Sequence, residues 1–219
     1  MEKLPISGSS PTDYSAVRDR LDELGWRGNW PQGEVKSLVC ELLRYNDMLG
    51  LSNITLSSEI CAKHVWESVL LGFMVGAEFE GEAADLGAGN GFPGLVVAAM
   101  CPKGRFTLFE SSDNRAAYLQ NCILAMELQN AFVENRHLKR VPDNFRGAFD
   151  LVFHRAFAHL ERAAGLALEL GCAGHVFAGF LPEEPKPQDF SACRYTLQKS
   201  IEFKDYKGKN SFIYAAKPS

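Results

Sequence analysis

The chain has no cysteine pair at metal-ligating or redox spacing. Its six cysteines, Cys40, Cys61, Cys101, Cys122, Cys172 and Cys193, all stand singly. Without a CxxC pair there is neither the sulfur set of a structural zinc site nor a dithiol redox motif. The expectation is six reduced, mostly buried thiols in a cytoplasmic protein. No secretory leader opens the sequence. The longest apolar run, Leu95–Cys101, falls far short of the ~20 residues that cross a bilayer, so no membrane partner is expected. Positive charge is not in excess either: a net charge of −4 argues against binding nucleic acid through the overall field and leaves only local basic patches for it.

What is present is a hydrophobic fraction of 46% in 219 residues, enough for one α/β domain plus an accessory element. The first dozen residues, MEKLPISGSSPT, read as frayed. Thr12 or Asp13 can cap a helix carrying Tyr14, Val17, Leu21 and Leu24, stopped by Gly25. Further helices are predicted from about Glu34 to Met48 and from about Ser58 to Val75. Residues 1–75 therefore read as an all-helical extension, in which Trp26, Trp30 and Trp66 are packing residues. From Glu82 onward short apolar strands alternate with helices: Ala83–Leu86, Arg105–Glu110, a strand near Phe132, Phe149–His154 and His175–Phe180. That rhythm means βαβ units in a mainly parallel sheet over residues 76–219. After the Pro-rich LPEEPKPQ, the runs YTLQKSIEF and SFIYAAK predict a closing antiparallel hairpin.

The stretch ADLGAGNGFPGL, Ala84–Leu95, joins the first of these strands to the helix expected from Pro93. Open α/β sheets bind ligands at such a turn. No Lys-Ser or Lys-Thr follows the glycines, which removes a triphosphate loop of the GxxxxGK[ST] type. Gly89–Gly94 satisfies GxGxxG, the dinucleotide pattern, but sits inside a longer one, Asp85-Leu86-Gly87-Ala88-Gly89-Asn90-Gly91. An acid followed by GxGxG closely resembles the first motif of class I S-adenosylmethionine-dependent (AdoMet-dependent) methyltransferases. A carboxylate there can neutralise a cofactor ammonium, whereas it would repel a pyrophosphate. Glu110 ends the next strand, 25 positions after Asp85, and can accept both hydroxyls of a nucleoside ribose.

Several further blocks narrow the resemblance. Tyr45-Asn46 with Leu51-Ser52-Asn53-Ile54-Thr55, His64-Val65-Trp66-Glu67-Ser68, the Phe92-Pro93-Gly94 loop ending, Phe149-Asp150 and Arg155-Ala156-Phe157-Ala158 resemble one family. It is that of the bacterial 16S rRNA guanine-N7 methyltransferases, also called glucose-inhibited division protein B. The resemblance implies a class I methyltransferase fold, Rossmann-like, with a C-terminal antiparallel hairpin and an N-terminal helical extension. It implies cofactor contacts at Gly87, Ala88, Gly89 and Phe92 in the loop, at His137 and Leu138, and at Arg155, beside Asp85 and Glu110. It also implies 16S rRNA or the small-subunit particle as partner, with the protein acting as a cytoplasmic monomer. Two departures stand out: Leu138, where the family usually has an acid, and Phe177-Ala178-Gly179-Phe180, where it commonly carries Lys-Gly.

Guanine N7 bears a free lone pair and no proton at neutral pH, so methylation there needs no general base, and no catalytic acid or base is assigned. In-line positioning is worth up to ~7–11 kcal/mol. On the substrate side the candidates are Arg155 and Phe157, the latter as a stacking surface for a flipped-out guanine, with Asn46 and His64. Two basic clusters, Arg136–Arg140 with Arg146, and Lys199, Lys204, Lys207 and Lys209, either contact phosphates or form solvated faces. Three other readings stay open: methylation of another RNA or a small molecule, a non-catalytic RNA-binding relative, and an NAD-dependent oxidoreductase.

Overall fold

A computed structural model describes residues 2–219. Helix α1 (Tyr14–Glu23) starts where Asp13 accepts the Ala16 N–H at 2.9 Å. Helix α2 (Gln32–Leu49) turns Val35, Leu38, Val39 and Leu42 inward. The third predicted helix is not continuous. It divides into α3 (Ser57–Ile60), a π-helical turn (Cys61–Val65) and α4 (Trp66–Val75), an extra-residue turn of the kind often found at functional sites. All three tryptophans are buried, as expected of packing residues.

The eight strands are β1 (Glu2–Pro5), β2 (Glu82–Leu86), β3 (Arg105–Glu110), β4 (Ala131–Asn135), β5 (Phe149–His154), β6 (Gly171–Leu181), β7 (Tyr195–Lys204) and β8 (Asn210–Pro218). They form one sheet in the order β1-β7-β8-β6-β5-β2-β3-β4. Strands β2 to β6 are mutually parallel; β8 runs antiparallel between β6 and β7, which gives the hairpin read from the sequence. The crossovers are α5 (Gly94–Met100), α6 (Asp113–Ala125) and α7 (Leu160–Leu170), and α8 (Pro187–Ala192) starts at the end of the Pro-rich stretch.

Two expectations for the N-terminus are corrected. Residues 2–5 are neither frayed nor helical: β1 pairs in parallel with β7, and the Ile6 N–H continues the ladder to the Glu202 carbonyl at 2.7 Å. The thiols also divide, since Cys61, Cys101 and Cys122 are buried but Cys40 is exposed and Cys172 and Cys193 are half-buried.

Side chains alternate across the sheet with period two. On β2, Ala83 joins the core shared with α1, α2, α4 and α5, while Ala84 and Leu86 join the opposite core with α7 and β6. The chain leaves β2 toward β3 and β4, then returns to the other side of β2 as β5. The β2–β5 boundary is therefore the topological switch point, where open α/β sheets hold ligands. Among the described residues, no helix is long and apolar enough to cross a membrane.

Candidate functional site

The glycine loop leaves β2 at this switch point. Gly87, Gly89 and Gly91 all have positive φ, at +72°, +55° and +86°, a region that side chains disfavour by about 1–2 kcal/mol per residue. The loop is tied to the end of β3: the Gly87 and Ala88 N–H groups donate to the Phe109 carbonyl at 2.9 and 3.0 Å. The Glu110 carboxylate completes the tie, accepting the Gly89 N–H at Oε2 and the Ser112 N–H at Oε1, each at 2.9 Å. A carboxylate accepting two hydrogen bonds keeps lone pairs for more. Glu110 thus shapes the loop as well as facing it, a role the sequence did not reveal.

Asp85 lies beneath this loop, 2% exposed. Its Oδ2 has no hydrogen-bond partner. The same oxygen overlaps the place a Cβ on Gly94 would take, so only glycine fits at the start of α5. Burial pushes the Asp85 carboxyl up to about 7, against the opposing pull of Arg155. A buried carboxylate oxygen without a partner is a place that a cationic group can complete.

Arg155 leaves the end of β5 and ties two elements together. Its Nη1 donates to Glu67 Oε2 at 3.1 Å and its Nη2 to Asn90 Oδ1 at 3.4 Å. Burial raises the Glu67 carboxyl above its ordinary range, and Arg155 opposes the shift. The π turn sets His64 beside the loop, its ring stacked on Phe92 with centroids 5.5 Å apart. His64 Nε2 is 3.0 Å from Ser52 Oγ. Burial, aided by Arg155 and Lys63, holds this imidazole down at about 3, so it is neutral.

The predicted residues fall into distinct places. Asp85, Gly87, Gly89, Glu110 and Arg155 converge on the carboxyl edge of β2, β3 and β5. Ala88 and Phe92 are buried, so their side chains pack inward and only their backbone faces the loop. The Phe157 ring covers Gly87, within 2.5 Å of where its Cβ would be. Beyond β4, His137 is exposed while Leu138 is buried in the core. The Leu138 side chain is turned inward, so at this position only the backbone is left to face outward. Asn46 is buried, and its amide both donates to the Ser52 carbonyl at 2.9 Å and accepts the Ser52 N–H at 2.7 Å, which ties the end of α2 to the segment that follows it. Ala178, where a basic residue was expected, is 1% exposed and packed in the core. In the first basic cluster Arg136 pairs with Glu134 and Arg146 with Glu169, each at 2.8 Å.

Glu67 and Asn90 were passed over as individual residues. Glu67 had a legible signal, a lone acid in the mostly apolar run Val65–Gly72. Asn90 had none, since its role depends on where Arg155 arrives. Among the described residues, no three His, Cys, Asp or Glu side chains cluster as metal ligands.

Residues 32–179 match the family described as "GidB: rRNA small subunit methyltransferase G". A protein of Staphylococcus saprophyticus subsp. saprophyticus, named ribosomal RNA small subunit methyltransferase G, is 31% identical over 130 residues, 59% of this chain and 54% of that one. One of the same name from Photobacterium profundum is 28% identical over 188 residues, 82% of this chain and 88% of that one. The chain thus spans about half the length of the first relative and most of the second. A SAM-dependent methyltransferase from Aquifex aeolicus has a similar structure, with a TM-score of 0.56 at 15% identity over 70% of this chain and 90% of that one. At that identity the likeness is one of fold.

Proposed function

This chain belongs to the GidB family, and from that premise we propose that it methylates N7 of a guanine in small-subunit ribosomal RNA, with AdoMet as methyl donor. The observation that carries the reading is the orphaned Asp85 oxygen under a glycine loop that Glu110 ties from the next strand. The residues fit the donor. Asp85 suits its ammonium, Glu110 its ribose hydroxyls, and the backbone of His137 and Leu138 its adenine edge. When bound, AdoMet supplies an electrophilic methyl group on a sulfonium.

The chain's own residues then have mainly positioning work. Arg155 holds the loop through Asn90 and is itself held by Glu67, fixing the spacing between the glycine loop and the segment after β5. Phe157, half-buried over Gly87, offers an apolar ring to exclude water and to stack a purine. No group needs to remove a proton from N7, in keeping with the neutral, buried His64. The absence of a lysine at Ala178 bears on RNA contact rather than on methyl transfer. The protein is proposed to act as a monomer.

The test is transfer of labelled methyl from AdoMet to small-subunit RNA taken from cells lacking this protein, followed by nucleoside analysis. Labelled 7-methylguanosine at one position is expected. Binding of AdoMet without transfer to any small-subunit RNA or particle would overturn the activity and favour the non-catalytic reading.

A further inference from the structure

A second concave feature lies on the same edge of the sheet. Strand β7 is parallel to β2, so its last residue, Lys204, and the turn to β8 emerge beside the carboxyl ends that carry the glycine loop. Strand β1 is parallel too, and delivers residues 6–12 to the same edge. Between them is a cleft of about 560 Å³, lined by Ser9, Ser10 and Thr12, by Ala62 of the π turn, and by Lys204, Asp205 and Tyr206 of the hairpin. Its walls are fixed. Ser10 Oγ donates to the Lys204 carbonyl at 2.7 Å, and the Arg20 guanidinium holds the Ser7 carbonyl. Asp205 Oδ1 accepts the N–H groups of Lys207 and Lys209 at 2.9 and 2.8 Å, which turns the acid into the turn's own scaffold.

Tyr206 is the chemical centre of this cleft. It is half-buried, and two ammonium groups attend its ring, Lys63 Nζ at 5.1 Å and Lys207 Nζ at 5.3 Å from the centroid. Among the described residues, none of Lys63, Lys204, Lys207 and Lys209 is within 4.0 Å of a carboxylate oxygen, and Lys204 Nζ donates instead to the neutral Asn210 Oδ1, whereas Lys3 and Lys199, within β1 and β7, are paired with carboxylates. An aromatic face among unpaired, long-stemmed cations is what a single-stranded nucleic acid uses: the base stacks and the phosphates draw the ammonium groups. The cleft also connects to the candidate site. Lys63 lies one residue from His64 in the π turn, and Glu67, which both Lys63 and Asp205 influence electrostatically, holds Arg155.

We propose that this cleft binds a nucleotide of the RNA strand flanking the target guanine, its base stacked on Tyr206 and its phosphates on Lys63, Lys204 and Lys207. The proposal rests on the function proposed above and supplies the basic surface that the acidic net charge and Ala178 leave unaccounted for. It also explains how π-turn and hairpin residues, separated by some 140 positions, serve one substrate.

The experiment measures binding of a fluorescein-labelled single-stranded RNA oligonucleotide, and of small-subunit RNA, to the full chain across a salt series. Tyr206→Ala should weaken RNA binding by ~5–150-fold, the range for losing one base–aromatic stack, while Tyr206→Phe retains it. Lys63→Gln and Lys207→Gln should each lower the slope of log affinity against log salt by ~0.7. AdoMet affinity should not change in the Tyr206 and Lys207 variants, and far-UV circular dichroism reports that each of the four is folded. If Tyr206→Ala does not fold, the two lysine slopes decide. RNA affinities within about twofold of wild type and unchanged slopes overturn the subsite, even if methyl transfer succeeds. Loss of RNA binding in the variants, with no guanine methylated by the wild-type chain, upholds the subsite and overturns the activity.

Discussion

Asp85 shows how much one residue's surroundings decide. Its carboxyl sits at about 7 when the ordinary value is 3.8, so between those values the folded chain holds a proton that the unfolded chain has released. Folding stability contributed by this group is therefore present at low pH and lost as pH rises toward and through 7. Asp85→Asn removes that slope, and thermal unfolding without AdoMet should show the variant gaining on wild type from pH 5 to pH 8. A constant difference would mean the acid is ionised throughout. His64 and His154 act oppositely: burial lowers them to about 3 and about 4 from 6.5, so their contribution is lost as pH falls below 6.5. Ligand binding should reverse the Asp85 penalty, since a cationic amine favours the charged carboxylate. Both Asp85 and Glu110 were legible in the sequence because each stands at or next to the end of a mostly apolar strand, where a polar residue is close to the ligand edge. The missing hydrogen bond at Asp85 and the two made by Glu110 were not legible, because they depend on the path of the loop.

At the level of elements, the start of α4, the glycine loop and the segment after β5 meet through Glu67, Arg155 and Asn90. Arg155 follows a buried strand, and its acidic partner lies 88 residues away, which no local pattern discloses. The π turn was equally hidden, since one extra residue in an apolar helix leaves its composition unchanged. Breaking one side of a buried ion pair costs about 3–5 kcal/mol, because the remaining charge is left uncompensated. Arg155→Ala should thus lose stability near that range at pH 8 and less at pH 5, where the raised Glu67 carboxyl can take a proton. The double substitution Glu67→Gln/Arg155→Met should recover most of the loss in denaturant unfolding but not AdoMet affinity. Recovery of both would assign the pair to stability alone.

For the whole molecule, the N-terminal segment is part of the sheet as well as of the helical layer. Strand β1 covers the edge of β7, and Lys3 pairs with Glu184 and Glu202 at 2.8 and 3.0 Å. An uncovered strand edge is a template for pairing between chains. Deleting residues 2–5 should lower Tm by about 2–4 °C for each kcal/mol lost and raise light scattering on heating, leaving the glycine loop in place. Unchanged scattering would show that β7 is protected by its own charges. Four residues containing a proline, followed by a Ser-rich stretch, gave no sign of a strand. EKLP becomes one only because β7 offers it a parallel partner.

By itself the sequence determined the order of strands and helices from β2 to β6, the closing hairpin, the glycine loop with its flanking acids, and the family. Each of these rests on periodicity or on residues adjacent in the chain, where local sterics and side-chain direction act directly. Only the tertiary structure decided which charges pair, which candidate side chains face inward, and that the hairpin, the π turn and the N-terminal segment enclose one cleft. Those outcomes depend on distances between segments far apart in sequence, and such distances exist only once the sheet has brought its carboxyl ends to one edge.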